Sequence, residues 1–293
     1  MNARVSDVLA RLPPVFDQDE PSSARMWDLL LGGKDNYDVD RQVVGELMRV
    51  APETKTLAWF ARSFVCKAVE MAADAGIRQF LDLGAGLPNS PNVHEVAREI
   101  EPSARVVYVD YDQVVYAHCN ALLAESPGVA ALLGDIRRPR DILDQLNDSA
   151  LIDFGEPVAI TLGGVLHHVM DDEHPAEIIA AFRDEMAPGS YLAITHGSSD
   201  SAPELLQMLA GTAGTSAEVC FRSAAQTQAF LAGFELLEPG VVPVQQWLRT
   251  DLPETRMVML GAIGRKPLPD ADGVDPGAIR REGLAGARAR GSR

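Results

Sequence analysis

The clearest chemical signal in the sequence is a short glycine-containing turn that directly follows an apolar run. Residues 80–88 read Phe-Leu-Asp-Leu-Gly-Ala-Gly-Leu-Pro, which predicts a buried strand leading into a turn. Gly84 and Gly86, on either side of Ala85, give the backbone conformations closed to other residues and let a ligand approach closely. In a doubly wound α/β sheet this turn lies at the carboxyl end of the first strand, where ligands bind.

Two later apolar runs end in carboxylates that suit a nucleoside. Asp110 ends the second run, and its carboxylate can accept hydrogen bonds from both ribose hydroxyls. Tyr111 follows and can lie against an adenine ring. Asp135 ends the third run, where it can accept a hydrogen bond from the adenine amine while Ile136 packs on the ring. We therefore expect three successive strand ends to surround one adenosyl group.

The spacing of the glycines distinguishes between two kinds of cofactor that contain adenosine, a dinucleotide and S-adenosylmethionine (SAM). A dinucleotide fingerprint requires a third glycine where this chain has Asn89, and that glycine allows the close packing a pyrophosphate site needs. Asp82, two positions before Gly84, stands where enzymes that use SAM often contact the methionine amino group. These features favour SAM as the cofactor, and an NAD(P)-dependent oxidoreductase is the weaker alternative.

The fourth apolar run ends in small residues and two histidines. Gly163, His167 and His168 would lie where a transferred methyl group faces its acceptor, and a histidine there can act as a general base near neutral pH. Either ring can equally cap or pack the next segment. We expect no metal, because the acidic groups and His174 that follow match no standard ligand spacing.

Short apolar runs that alternate with helical segments predict the sheet that positions these residues. Each run is continuously apolar, as expected when helices cover both faces of a parallel sheet. The predicted strands are 79–83, 105–110, 130–134, 158–162 and 191–195, with helices between them at 91–100, 113–125, 139–145 and 175–186. Runs at 234–242 and 257–264 predict a closing hairpin at the sheet edge, and helices at 23–31, 40–50 and 54–75 precede the sheet.

This pattern divides the chain into four parts. We expect a flexible leader at 1–22, a helical cap at 23–76, a cofactor-binding domain at 77–266 and a disordered tail at 267–293, because both ends are rich in residues that build no core.

Composition excludes several classes of protein. The formal net charge of −16, from 42 acidic and 26 basic side chains, opposes binding to nucleic acid and mildly favours a neutral or cationic small molecule. The three cysteines form no Cys-x-x-Cys pair and indicate a reducing compartment. No signal-peptide pattern and no apolar run approaching about 20 residues is present, so we expect a cytoplasmic protein without membrane attachment.

With these residues assembled, the sequence resembles an actinobacterial S-adenosyl methyltransferase family that includes domains of unknown function. The most specific part is Gly-Gly-Lys-Asp-Asn-Tyr at 32–37. Further matching stretches lie at 24–28, 79–88, 92–95, 106–110, 165–168, 188–192 and 238–242, so that the resemblance covers about residues 22–266.

The resemblance implies a class I methyltransferase fold, which is a Rossmann-like sheet with an antiparallel edge strand. It implies that the stretch from Arg25 to Tyr37 folds over the SAM site, which adds Arg25, Gly33 and Tyr37 to the expected cofactor contacts. Ordinary helix termination by glycine is the alternative explanation of this stretch.

Three departures from the family pattern lie at the mouth of the expected site. Ala85 stands where a hydroxyl residue is expected, Tyr111 replaces an asparagine, and Arg62-Ser63 interrupts an Asn-Arg pair. We predict methyl transfer from SAM to an unidentified small molecule. A SAM-binding regulatory protein without catalysis is the alternative.

Overall fold

A computed structural model describes residues 19–210, 218–249 and 251–269. Most of the predicted leader and tail, at 1–18 and 270–293, lies outside the described residues. The helices are α1 (Ser23–Leu31), α2 (Asp38–Val50), α3 (Thr54–Asp74), α4 (Val93–Ile100), α5 (Gln113–Leu122), α6 (Pro139–Ser149), α7 (Pro175–Glu185), α8 (Pro203–Ala210), α9 (Ala224–Ala229) and α10 (Val244–Leu248). The strands are β1 (Gln79–Leu83), β2 (Arg105–Asp110), β3 (Val129–Leu133), β4 (Ala159–Leu162), β5 (Tyr191–Gly197), β6 (Glu235–Leu236), β7 (Val242–Pro243) and β8 (Met259–Arg265).

The strands form one mixed sheet in the order β3-β2-β1-β4-β5-β8-β6, with β7 also paired to β8. Strands β1 to β5 are parallel, and β8 runs antiparallel to β5, β6 and β7. The doubly wound sheet with antiparallel edge strands is thus confirmed. Because the chain order reverses between β1 and β4, a crevice opens at their carboxyl ends.

Both faces of the sheet are buried, as the continuous apolar runs predict. On one face Phe80 and Val106 pack under α3, α4 and α5 with Phe64. On the other face Leu81 and Ile160 belong to a second cluster with residues of α6 and α7. Packing on both faces fixes the strands and therefore the positions of their ends.

The structure differs from the sequence prediction at the sheet edge and in one connection. The apolar run at 234–242 is not one strand, because Pro239 and Gly240 interrupt it and β6 and β7 pair separately with β8. Helix α4 begins at Val93 rather than at residue 91, because Asn92 and Glu95 form a capping box there. Helices α8 and α9 lie in a segment to which the sequence analysis assigned no element.

A buried ion pair fixes the N-terminal helices to each other. Asp40, fully buried, accepts hydrogen bonds from Ser22 N at 2.9 Å, Tyr37 N at 2.9 Å and Arg25 Nε at 2.6 Å. The Arg25 guanidinium lies 5.0 Å from the centre of the Tyr37 ring. One carboxylate therefore joins the start of α1 to the start of α2.

Removing this carboxylate should destabilise the protein strongly. We expect Asp40→Ala to lower the free energy of unfolding by about 3–5 kcal/mol, because the buried guanidinium of Arg25 loses its ion pair with Asp40. Urea denaturation measures this change. Asp38→Ala is the control, since its side chain is 89% exposed and its ion pair contributes little; equal losses in both variants would contradict the prediction.

Candidate functional site

A cavity of about 440 Å³ lies at the carboxyl edge of the parallel strands. Its walls come from the turn after β1, from the ends of β2, β3 and β4, and from α1 and α3, which cover the opening between them. Nine of the twelve predicted cofactor contacts line this one cavity: Asp82, Gly84, Ala85, Gly86, Asp110, Tyr111, Asp135, Ile136 and Gly163.

Two left-handed glycines shape the turn after β1. Gly84 has a φ of 71° and Gly86 a φ of 66°, a region that favours glycine. A Cβ on Gly84 would lie 2.3 Å from Val165 Cγ2, whereas a Cβ on Gly86 would meet no atom within 4 Å. Gly84 is therefore needed for packing between strand ends, and Gly86 leaves backbone open to the cavity.

Asp110 links the turn after β1 to the end of β2. Its Oδ2 accepts a hydrogen bond from Gly86 N at 3.0 Å, and its Oδ1 accepts one from Asp112 N at 2.9 Å. Burial raises the pKa of this carboxyl to about 6, against the effect of these two donors. The ionised carboxylate still has lone pairs for the two hydroxyls of a ribose.

Asp82 and Arg62 also line the cavity. Thr161 Oγ1 donates a hydrogen bond to Asp82 Oδ1 at 2.6 Å, and burial raises the pKa of Asp82 despite this bond and the charge of Arg62. Arg62 Nη2 donates to the carbonyls of Asn89 and Pro91. Its buried Nε has no hydrogen-bond partner among the described residues, so Arg62 can bind an anionic group.

From the sequence, Arg62 is only a departure from the family pattern. Arg62 lies on the long helix α3, and the sequence does not show which side chains of that helix reach a site formed by the strands that follow it.

Arg137 organises the third strand end, and the sequence analysis missed it. The guanidinium pairs with Asp135 at 2.7 Å and with Glu173 at 3.2 Å, and it lies 5.7 Å from the centre of the Tyr111 ring. The carboxylate of Asp135 is thus already neutralised within the protein, while Tyr111 presents an aromatic surface to the cavity.

The two predicted catalytic histidines occupy different environments. His168 lines the cavity, and its Nδ1 lies 3.0 Å from Glu218 O. A carbonyl can only accept, so Nδ1 carries the proton; burial lowers the pKa of the ring, which leaves a free lone pair on Nε2.

His167 is not in the cavity wall. It packs against His196 and Phe221, and its buried Nδ1 has no hydrogen-bond partner in the described part of the chain. Burial lowers the pKa of His167 well below its usual value. The His167 ring also packs against His168, with 4.5 Å between the ring centroids, so His167 lies behind the residue that lines the cavity.

A second buried arginine holds the segment that carries His168. Arg222 donates hydrogen bonds to Leu166 O at 3.2 Å and Val169 O at 2.8 Å, and it pairs with Asp171 at 2.7 Å. The sequence analysis missed this residue because it lies more than 50 positions from its partners. Among the described residues, no group of three or more potential ligands is arranged to hold a metal ion.

Arg25, Gly33 and Tyr37, expected at the cofactor from the family resemblance, do not line the cavity. Arg25 and Tyr37 pair with each other and with Asp40, as described above, so their side chains serve the packing of α1 on α2. The same stretch reaches the cavity through other residues, Trp27 and Asp28. In this structure the stretch therefore contributes Trp27 and Asp28 to the cavity wall, and not Arg25, Gly33 or Tyr37.

The sheet order, the glycine turn and the acidic strand ends define a class I methyltransferase fold with a cavity at the carboxyl edge of its parallel strands. The model of the S-adenosyl methyltransferase family matches residues 10–267, and the chain belongs to that family. It is a SAM-dependent methyltransferase, with SAM as its cofactor, and the NAD(P)-dependent alternative is set aside.

Two crystal structures are similar to this chain. One, from Thermobifida fusca YX and described as a candidate methyltransferase, is 39% identical, with a TM-score of 0.80 over 87% of this chain and 98% of the other. The second is a DUF574 family protein from Streptomyces avermitilis MA-4680, 34% identical, with a TM-score of 0.81 over 86% of this chain and 99% of the other. A comparison with proteins of curated function finds no match. No helix among the described residues is long and apolar enough to cross a membrane.

The two glycines of the turn should respond differently to substitution. Both Gly84→Ala and Gly86→Ala incur about 1–2 kcal/mol for a left-handed alanine, but Gly84→Ala adds about 1–3 kcal/mol of overpacking against Val165. Urea denaturation should therefore show the larger loss of stability for Gly84→Ala. A larger loss in Gly86→Ala would contradict the geometry of the turn.

Proposed function

We propose that the cavity at the carboxyl edge of the sheet holds SAM and that a small molecule is methylated beside it. The observation that carries this proposal is the convergence of Asp82 in β1, Asp110 in β2 and Asp135 just after β3 on one cavity with the glycine turn.

Each part of the cavity suits one part of the cofactor. Asp110 accepts the two ribose hydroxyls, while Tyr111 and Ile136 enclose the adenine and Asp135 accepts from its amine. Asp82 binds the methionine ammonium and Arg62 its carboxylate. The backbone at Ala85, Gly86 and Gly163 permits close approach because these residues are small.

An acceptor of small size is supported by the way α1 and α3 cover the cavity. Residues 23–76 thus serve as a cap on the cofactor domain of residues 77–266. The acidic chain opposes a nucleic-acid substrate. The origin of the two crystal structures described above, Thermobifida and Streptomyces, supports an actinobacterial source. A cytoplasmic location stays a prediction from the sequence.

His168 is the general base of the proposed reaction. It lines the cavity just beyond Gly163 and Gly164, and its neutral ring carries a lone pair on Nε2. A base in this position can remove a proton from the acceptor as the methyl group transfers.

Calorimetric titration of the purified protein with SAM tests the proposed cofactor site. We expect saturable binding by the native chain at pH 7.5. The loss of one charge-assisted hydrogen bond of about 1.5–3 kcal/mol in Asp110→Asn should weaken binding by at least about tenfold. Absence of SAM binding by the native protein would refute the site.

The pH dependence of SAM affinity should report the ionisation of Asp110. Its pKa is raised to about 6, and only the carboxylate accepts both hydroxyls, so affinity should rise from pH 5 to 7 and level off above. Below pH 6 the affinity for SAM should change by nearly tenfold per pH unit if one proton is released on binding. Asp110→Asn should remove the part of this pH dependence that comes from ionisation of Asp110. Superimposable affinity profiles of the native protein and the variant would contradict this prediction.

Replacing His168 should slow methyl transfer without weakening SAM binding. We expect His168→Asn to reduce transfer of a labelled methyl group into the small-molecule fraction of a cell extract by about 100-fold or more. His174→Asn is the control, because His174 is exposed and does not line the cavity. Equal rates for the two variants would exclude His168 as the base.

A further inference from the structure

Five residues that line the cavity are not among the groups assigned to SAM. We call them the acceptor wall: Trp27, Asp28 and Leu31 of α1, with His168 and Thr195. Trp27 lies against the end of β4, where a Cβ on Gly164 would be 3.5 Å from Trp27 Cζ2. Gly164 N also donates a hydrogen bond to Thr195 Oγ1 at 2.7 Å, and His168 lines the same cavity as Trp27 and Thr195.

Asp28 is a buried carboxylate built into this wall. Its side chain is held through Oδ2, which accepts hydrogen bonds from Asp35 N at 2.9 Å and Asn36 Nδ2 at 3.2 Å. No described residue donates a hydrogen bond to Oδ1. The residue is only 5% exposed, so a negative charge with an available acceptor atom is fixed at the cavity surface.

The Gly-Gly-Lys-Asp-Asn-Tyr segment holds that carboxylate in position. Gly32 ends α1 with a φ of 91°, which turns the chain back along the helix. A Cβ on Gly33 would lie 1.8 Å from Asp28 Oδ1, so any other residue there would displace the carboxylate. Asp35 and Asn36 then supply the two donors.

No cation in the described cavity lining neutralises the acceptor wall. Of the two arginines in that lining, Arg62 lies beside Asp82 and is tied to the loop after β1. Arg137 is paired with Asp135 and Glu173. An anionic acceptor would therefore meet Asp28 without a counter-charge, whereas a cation gains an ion pair and the face of the Trp27 indole.

We propose that the methyl acceptor is an amine, selected by the carboxylate of Asp28 and the indole of Trp27. This inference rests on the proposed function of the cavity. The amine enters as an ammonium ion and gives its proton to His168 Nε2. Its lone pair then attacks the methyl carbon of SAM, and the carbon–sulfur bond breaks with its electron pair going to sulfur. The products are the N-methylated ammonium ion of the acceptor and S-adenosylhomocysteine, and His168 returns its proton to water.

Ligand-observed NMR on the protein loaded with S-adenosylhomocysteine tests this selection. The probes are propylamine, phenethylamine and tryptamine, each compared with the alcohol and the carboxylate of matched chain length. We expect at least one amine to bind about tenfold more tightly than both of its analogues, the effect of one charge-assisted hydrogen bond. If no amine is preferred by the native complex, the inference is overturned.

Three variants assign the selection to Asp28. Asp28→Asn should remove the preference for the amine and leave the SAM dissociation constant within about twofold of native. Gly33→Ala should do the same with the charge retained, because its Cβ displaces the carboxylate. Asp38→Asn, which changes the net charge equally at an exposed side chain, should keep the preference.

The failures of the two proposals are distinguishable. SAM binding is measured first, and its absence in the native protein refutes the proposed function itself. Normal SAM binding with an amine preference that persists in Asp28→Asn overturns only the inference. Loss of SAM binding in Asp28→Asn also overturns it, because Asp28 would then belong to the cofactor site.

Discussion

The hydrogen bond from Gly86 N to Asp110 Oδ2 joins two strand ends that are far apart in sequence. It forms because parallel strands present their carboxyl ends at one edge of the sheet, and because the turn stays beside β2, where Gly84 N and Ala85 N both donate to Val109 O. Packing on both faces of the sheet fixes β1 and β2, so the distance between turn and carboxylate is fixed as well. The whole cavity is built around this junction.

Burial of carboxylates at this edge has a chemical consequence. Asp82 and Asp110 are largely removed from water, and desolvation raises the pKa of each. A hydrogen-bond donor or positive charge therefore stabilises the ionised form of a buried carboxylate more than that of an exposed one. A cofactor that carries an ammonium, a sulfonium and ribose hydroxyls supplies such partners, which relates the acidic cavity to its ligand.

Local patterns in the sequence predicted the sheet and the residues at its strand ends well. A buried parallel strand must be apolar along its length, and its end is marked by the first polar or glycine residue, as at Asp110 and Gly134. The third predicted strand was displaced by one residue, which does not change its role.

Contributions from distant segments were not predictable in the same way. Arg222 reaches the turn at His168 from far along the chain, and Arg137 acts through side chains of two separate segments. On α1 the matched motif included Arg25 and Asp28, but only packing against α2 decides which side of the helix faces inward. Arg25 therefore belongs to the cap, and Asp28 belongs to the cavity.

A crystal structure of the complex with S-adenosylhomocysteine tests the central claim most directly. The account predicts both ribose hydroxyls within hydrogen-bonding distance of the Asp110 carboxylate, with the adenine between Tyr111 and Ile136. A nucleoside bound away from Asp110, or one whose ribose faces another side chain, would contradict it.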